Sequence, residues 1–145
     1  MKKILYVNGI IFAIFVLFVI YGKYKSNNYS NYIKDLNLEV RGKVSKIVKL
    51  NHGHDYGIIS LNVEFSNLDY YDERENINRF FGVIKNRKAE IIVTNISLFE
   101  LNDIFVINKD KYSIYRNNKV IDDNYFSVPS GIISPYPEIR GKIKL

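Results

Sequence analysis

The sequence predicts a mainly β domain carried behind one N-terminal membrane-spanning helix. Three observations carry that expectation. Residues Ile4 to Tyr21 form an apolar run without a charge. From residue 38 onward, apolar and polar residues alternate with the period of half-buried strands. Short Asn-containing segments separate those runs, and Asn tolerates the left-handed backbone of tight hairpins.

Taken in order, the apolar run comes first. Eighteen residues at 1.5 Å each give a helix of about 27 Å, near the ~30 Å hydrocarbon core of a bilayer. Lys2 and Lys3 precede it, Lys23 and Lys25 follow it, and Tyr6, Tyr21 and Tyr24 suit the aromatic belts. The run exceeds the usual apolar core of a cleaved signal, and no pair of small residues marks a cut. A retained signal anchor is therefore expected, making a single-pass membrane protein whose C-terminal domain lies outside the cytoplasm. Residues 1–22 form the anchor in this reading, and the polar residues 23–35 a tether.

Residues 36–121 form the expected β domain. Leu38, Val40, Gly42 and Val44 alternate with Glu39, Arg41, Lys43 and Ser45, and the phase then shifts near Lys46 and Ile47. A glycine and a phase change in one long strand predict a bulge that curls the sheet. Ile59, Leu61, Val63 and Phe65 mark the second strand. Residues 67–78 are acidic and irregular and read as a loop or helical turn. Strands follow over 79–84, 89–94, 104–107, 111–116 and 119–121, with a short helical turn over 96–101. Residues 122–145 hold all three prolines and end in an alternating segment that reads as a strand. That ending, Glu138-Ile139-Arg140-Gly141-Lys142-Ile143, parallels Glu39-Val40-Arg41-Gly42-Lys43-Val44, so both glycines are expected at tight places in the sheet.

Composition removes several chemistries. With no cysteine there is no disulfide, thiolate metal site, cysteine nucleophile or lipidated N-terminal cysteine. The net charge of +6 is matched by an Ile, Asn, Lys and Tyr total of 66 residues, a bias that AT-rich coding explains without nucleic acid as a partner. Charge is uneven: residues 22–50 carry seven basic and two acidic side chains. A second reading follows, a cytoplasm-facing module touching anionic lipid.

The metal-ligand candidates are His52, His54 and Asp55, two imidazoles one residue apart beside a carboxylate. They are also the general bases that a metal-dependent or hydrolytic enzyme would use. No nucleophile-elbow or glycine-rich phosphate motif accompanies them, so no catalytic residue and no cofactor is assigned, and the chain is expected not to be an enzyme. Asp69, Asp72, Glu73 and Glu75 lack the spacing of a calcium loop. Phe80, Phe81, Phe99, Phe105, Tyr112 and Tyr115 are the candidates for an aromatic stacking surface.

A long bent first strand, its hairpin partner, further strands, a short helical turn and a closing hairpin resemble the OB-fold order of a small Greek-key barrel. The stretch Leu101-Asn102-Asp103-Ile104-Phe105 through Ser113-Ile114-Tyr115-Arg116-Asn117-Asn118-Lys119 also resembles small membrane-anchored bacterial proteins of unknown function. Asn102 and Asn118 stand where that resemblance expects glycine. It implies an OB-like β-barrel and no catalytic residues. The functional expectation is a non-enzymatic binding or assembly module presenting loops or an edge strand to a protein or glycan.

Overall fold

The computed structural model describes residues 2–50, 55–75, 80–126 and 141–145. One helix, α1 (Lys2–Leu36), leads into eight strands: β1 (Glu39–Lys49), β2 (Tyr56–Ser66), β3 (Tyr70–Asp72), β4 (Gly82–Lys85), β5 (Lys88–Thr94), β6 (Ile104–Asn108), β7 (Lys111–Arg116) and β8 (Lys119–Tyr125). A 3-10 turn, Ile96–Leu98, lies between β5 and β6. All pairings are antiparallel, in the order β3-β4-β5-β2-β1-β6-β7-β8.

Several expectations are corrected here. The first is the closed OB-like barrel: the ladder runs from β3 to β8 and does not return on itself. β1 sits in the middle rather than at a seam. It pairs with β2 along its length and with β6 only over Glu39–Lys43. A meander of three strands hangs on each side of that central hairpin. The two halves meet through side chains instead of a ladder: the Phe81 and Phe126 rings stand 5.6 Å apart, nearly perpendicular. Edge chemistry explains the missing seam. β3 has three residues, and β8 carries a bulge and Asp122, an inward-reaching acid that discourages further pairing.

The second correction is the membrane span. Among the described residues, no helix is long and apolar enough to cross a membrane. The described side chains of its apolar part run continuously from Gly9 to Tyr24, about 24 Å of helix, and Lys23 already falls within them. The single-pass membrane localisation, the signal anchor and the extracytoplasmic placement of the domain fall with it. The expected tether 23–35 is also different: these residues continue the helix to Leu36. Polar composition there suggested a linker, but the last turns are held by tertiary contacts. Tyr32 and Leu36 pack on the core, the Tyr32 and Tyr71 hydroxyls are 3.1 Å apart, and Lys34 pairs with Asp110 at 3.4 Å. Asn37, in the left-handed region, ends the helix by donating its N–H to the Lys34 carbonyl.

The local signals behind the strands are visible in the backbone. Register shifts between Arg41 and Gly42 and between Val44 and Lys46 bend β1, matching the glycine and the phase change. Asn86 with Arg87, and Asn117 with Asn118, take positive φ and make the two-residue turns of β4–β5 and β7–β8. Asn102 and Asn118, standing where glycine was expected, have φ of 74° and 62°, so Asn fills both left-handed positions. The core then follows by rows across the sheet. Val44, Leu61, Ala89, Ile84 and Tyr71 lie side by side through successive pairings, and all are buried.

The matched glycines behave differently. A Cβ at Gly42 would lie 2.8 Å from the Asn62 carbonyl oxygen and 3.2 Å from the Leu61 Cβ. At Gly141 it would meet no atom within 4 Å. Residues 141–145 are not a strand: they begin in a helical turn and continue irregularly, with Ile143 buried. Pro129, Pro135 and Pro137 lie outside the described residues. Gly42→Val is therefore expected to cost about 2 kcal/mol through overpacking, while Gly141→Val leaves stability unchanged, as read from urea midpoints at constant m.

Candidate interaction surface

The 3-10 turn and the loop after it cross from one half of the sheet to the other, and an ion pair between a buried carboxylate and a half-buried guanidinium holds them. Asp103 is 2% exposed. Its carboxylate accepts both Arg116 Nε and Nη2 at 2.9 Å, a bidentate pair, and also the Glu100 N–H at 2.8 Å. Arg116 further donates to Glu100 Oε1 at 2.6 Å and to the Leu98 carbonyl at 2.8 Å. The Asp103 hydrogen bonds raise the guanidinium above its ordinary value, so it stays charged throughout the working pH range. The backbone of the same loop then joins β1: Val44 N–H donates to the Asp103 carbonyl, and Asn102 N–H to the Val44 carbonyl.

Of the metal-ligand candidates, His52 and His54 lie outside the described residues. Asp55 is described, and its carboxylate is already engaged. It accepts the Ser97 backbone N–H at 3.1 Å and the Ser97 hydroxyl, while its carbonyl accepts the Ile96 N–H. Those bonds cap the 3-10 turn, a structural use that competes with a metal for the same oxygens. Among the described residues, no three metal-binding side chains converge. The acidic run is likewise engaged at Asp72, which Arg74 grips with Nε at 2.9 Å from both oxygens.

The aromatic candidates are mostly core. Phe80, Phe81, Phe99, Phe105 and Tyr112 are buried, and Tyr115 alone among them is half-exposed. Tyr71 stacks on Phe81 at 4.4 Å, and Phe99 meets Phe105 edge-on at 5.5 Å. Tyr112 donates to Asp122 at 2.5 Å, and burial, reinforced by that carboxylate, pushes its hydroxyl pKa well up. The space left between Val93, Thr94, Phe99, Phe105, Tyr112 and Phe126 is about 10 Å³, the lower limit for one water. Periodicity placed these aromatics on strands, but their inward direction depends on register, which the bulges of β1 reset.

Exposed apolar side chains cluster in two places, while Phe65, Tyr70 and Leu101 are exposed elsewhere. Along α1, Ile10, Phe12, Phe15, Leu17, Phe18 and Ile20 are 58–69% exposed, on every side of the helix. On edge strand β8, Val120, Ile121 and Tyr125 are 56%, 41% and 65% exposed, with the Lys111 ammonium 5.6 Å over the Tyr125 ring. Compared with known proteins, the chain matches no family model, no curated protein and no solved structure. The resemblance to small anchored bacterial proteins therefore gains no support and meets no opposing match.

Two outcomes follow from the polar pairs. Arg116→Ala leaves a buried carboxylate unpaired, so it lowers the urea midpoint more than Asp103→Asn does. Arg116→Lys fails to restore it, because an ammonium lacks the bidentate fork. The second concerns pH. The Ser97 hydroxyl, the largest cause, holds the Asp55 carboxyl below its ordinary range. A depressed carboxylate stabilises the fold above the unfolded pKa of about 4 and loses that contribution as pH falls through the folded value. The stability gap between wild type and Ser97→Ala is thus constant from about pH 8 to 5 and narrows below about pH 4 in thermal melts.

Proposed function

We propose that the chain is a non-enzymatic binding or assembly module whose partner is a protein. The observation that supports this reading is the uncovered apolar surface of α1. A helix that is apolar on all sides is ordinarily surrounded, because each exposed side chain of Leu, Ile or Phe size forfeits roughly 1.5–3 kcal/mol of burial. Here the helix is fastened to the sheet at its end, through Tyr32, Lys34 and Leu36, while Ile10 to Ile20 project free of it. Among the described residues, the Asp103 and Asp55 networks hold the fold, and the space between Phe99, Phe105 and Tyr112 is no larger than one water.

A photo-crosslinking residue introduced in the full chain at Phe15, with Lys46 as the control position, tests the reading. The expected result is a covalent adduct to a polypeptide at Phe15, several-fold stronger than at Lys46. Adducts at Phe15 that contain no polypeptide would contradict it.

A further inference from the structure

The second face of the sheet, opposite the core row, carries an unexpected apolar patch. Its central row is Lys46, Ser60, Glu90 and Val83, aligned by successive pairings. Lys46 is exposed and Ser60 and Glu90 are half-buried, yet Val83 is 0% exposed. Two residues along the same face, the paired Ile58 and Ile92 are also buried. A face that is wet at Lys46 and dry at Val83 must be covered locally.

Residues 141–145 lie along the Val83 end of that row, with Gly141 beside Asp72 and Lys144 at Glu90. Lys144 N–H donates to Glu90 Oε2 at 2.6 Å, and the other Glu90 oxygen lies 3.4 Å from the Ser60 hydroxyl. Ile143, next in the chain, is 4% exposed and packs in the core cluster. Yet the segment enters no strand ladder. Among the described residues, its attachment is side-chain burial plus a bond to a carboxylate, whereas each neighbouring strand is held by a row of backbone bonds. Elements held by few backbone bonds open at lower free energy than the sheet they rest on.

We infer that residues 141–145, which run from beside Asp72 to Glu90 across the row that holds Val83, form a strap that opens as its own unit, baring Val83 while the sheet stays folded. This goes beyond the binding-module reading and does not depend on it. The occupant of the covered surface is this segment of the same chain.

Native-state amide exchange by NMR on the full chain tests it, because the Lys144 N–H is itself the strap's bond. Ile92, whose N–H donates to the Phe81 carbonyl at 2.9 Å, reports on the sheet. The expected result is Lys144 exchange more than about tenfold faster than Ile92, yet more than about threefold slower than a free peptide. In Glu90→Gln, Lys144 exchange accelerates and that of Ile92 does not. Three results would overturn the inference: Lys144 within tenfold of Ile92, Lys144 at the free-peptide rate, or both amides accelerating together in Glu90→Gln.

Discussion

The pairing of Asp103 with Arg116 is the constraint on which the rest of the structure depends. The chain must cross from β5 to β6, on opposite sides of the central hairpin, without a ladder to guide it. A carboxylate buried to 2% exposure has no water to solvate it, so it holds the guanidinium in one geometry or destabilises the fold. With Arg116 at the end of β7 and Asp103 just before β6, that geometry ties the crossing to the second meander. The same loop then closes on Val44 of β1 through two backbone bonds. One ion pair thus sets where the second half of the sheet begins.

That arrangement explains why the sheet curls but stays open. Bulges on either side of Val44 bend β1 where the crossing meets it, and Gly42 allows β2 to approach closely. Curling brings Phe81 and Phe126 into contact. Ring contact joins the two halves without demanding strand register between them. β8 keeps its outer edge, guarded by a bulge and by Asp122 turned toward Tyr112.

Much of this was legible in the residues. Alternation located most of the strands, Asn-containing turns marked the tight hairpins, and the Gly42 phase change announced the bend. β3 was missed because three residues carry no readable period. The end of the chain was misread for the opposite reason: Gly141, Ile143 and Leu145 alternate like a strand, while one buried side chain and a bond to Glu90 decide the matter. The polar residues before Leu36 looked like a tether because their helix is held by tertiary contacts, which composition does not report. Closure was overestimated since a strand's neighbours are set by long-range pairing. The site candidates divided along the same line. Asp55 looked available from its spacing, but its partner Ser97 lies 42 positions away. Arg116 and Asp103, 13 apart, gave no motif at all beyond the Asp opening a strand.

The most direct measurement is the through-hydrogen-bond scalar coupling between the Val44 amide nitrogen and the Asp103 carbonyl carbon. Its reciprocal partner runs from the Asn102 nitrogen to the Val44 carbonyl. Both couplings are expected in the folded chain, since the two bonds are 2.8 and 2.9 Å long. If Val44 instead couples to a residue in a strand ladder, the crossing does not lie where the ion pair puts it, and this description of the sheet is wrong.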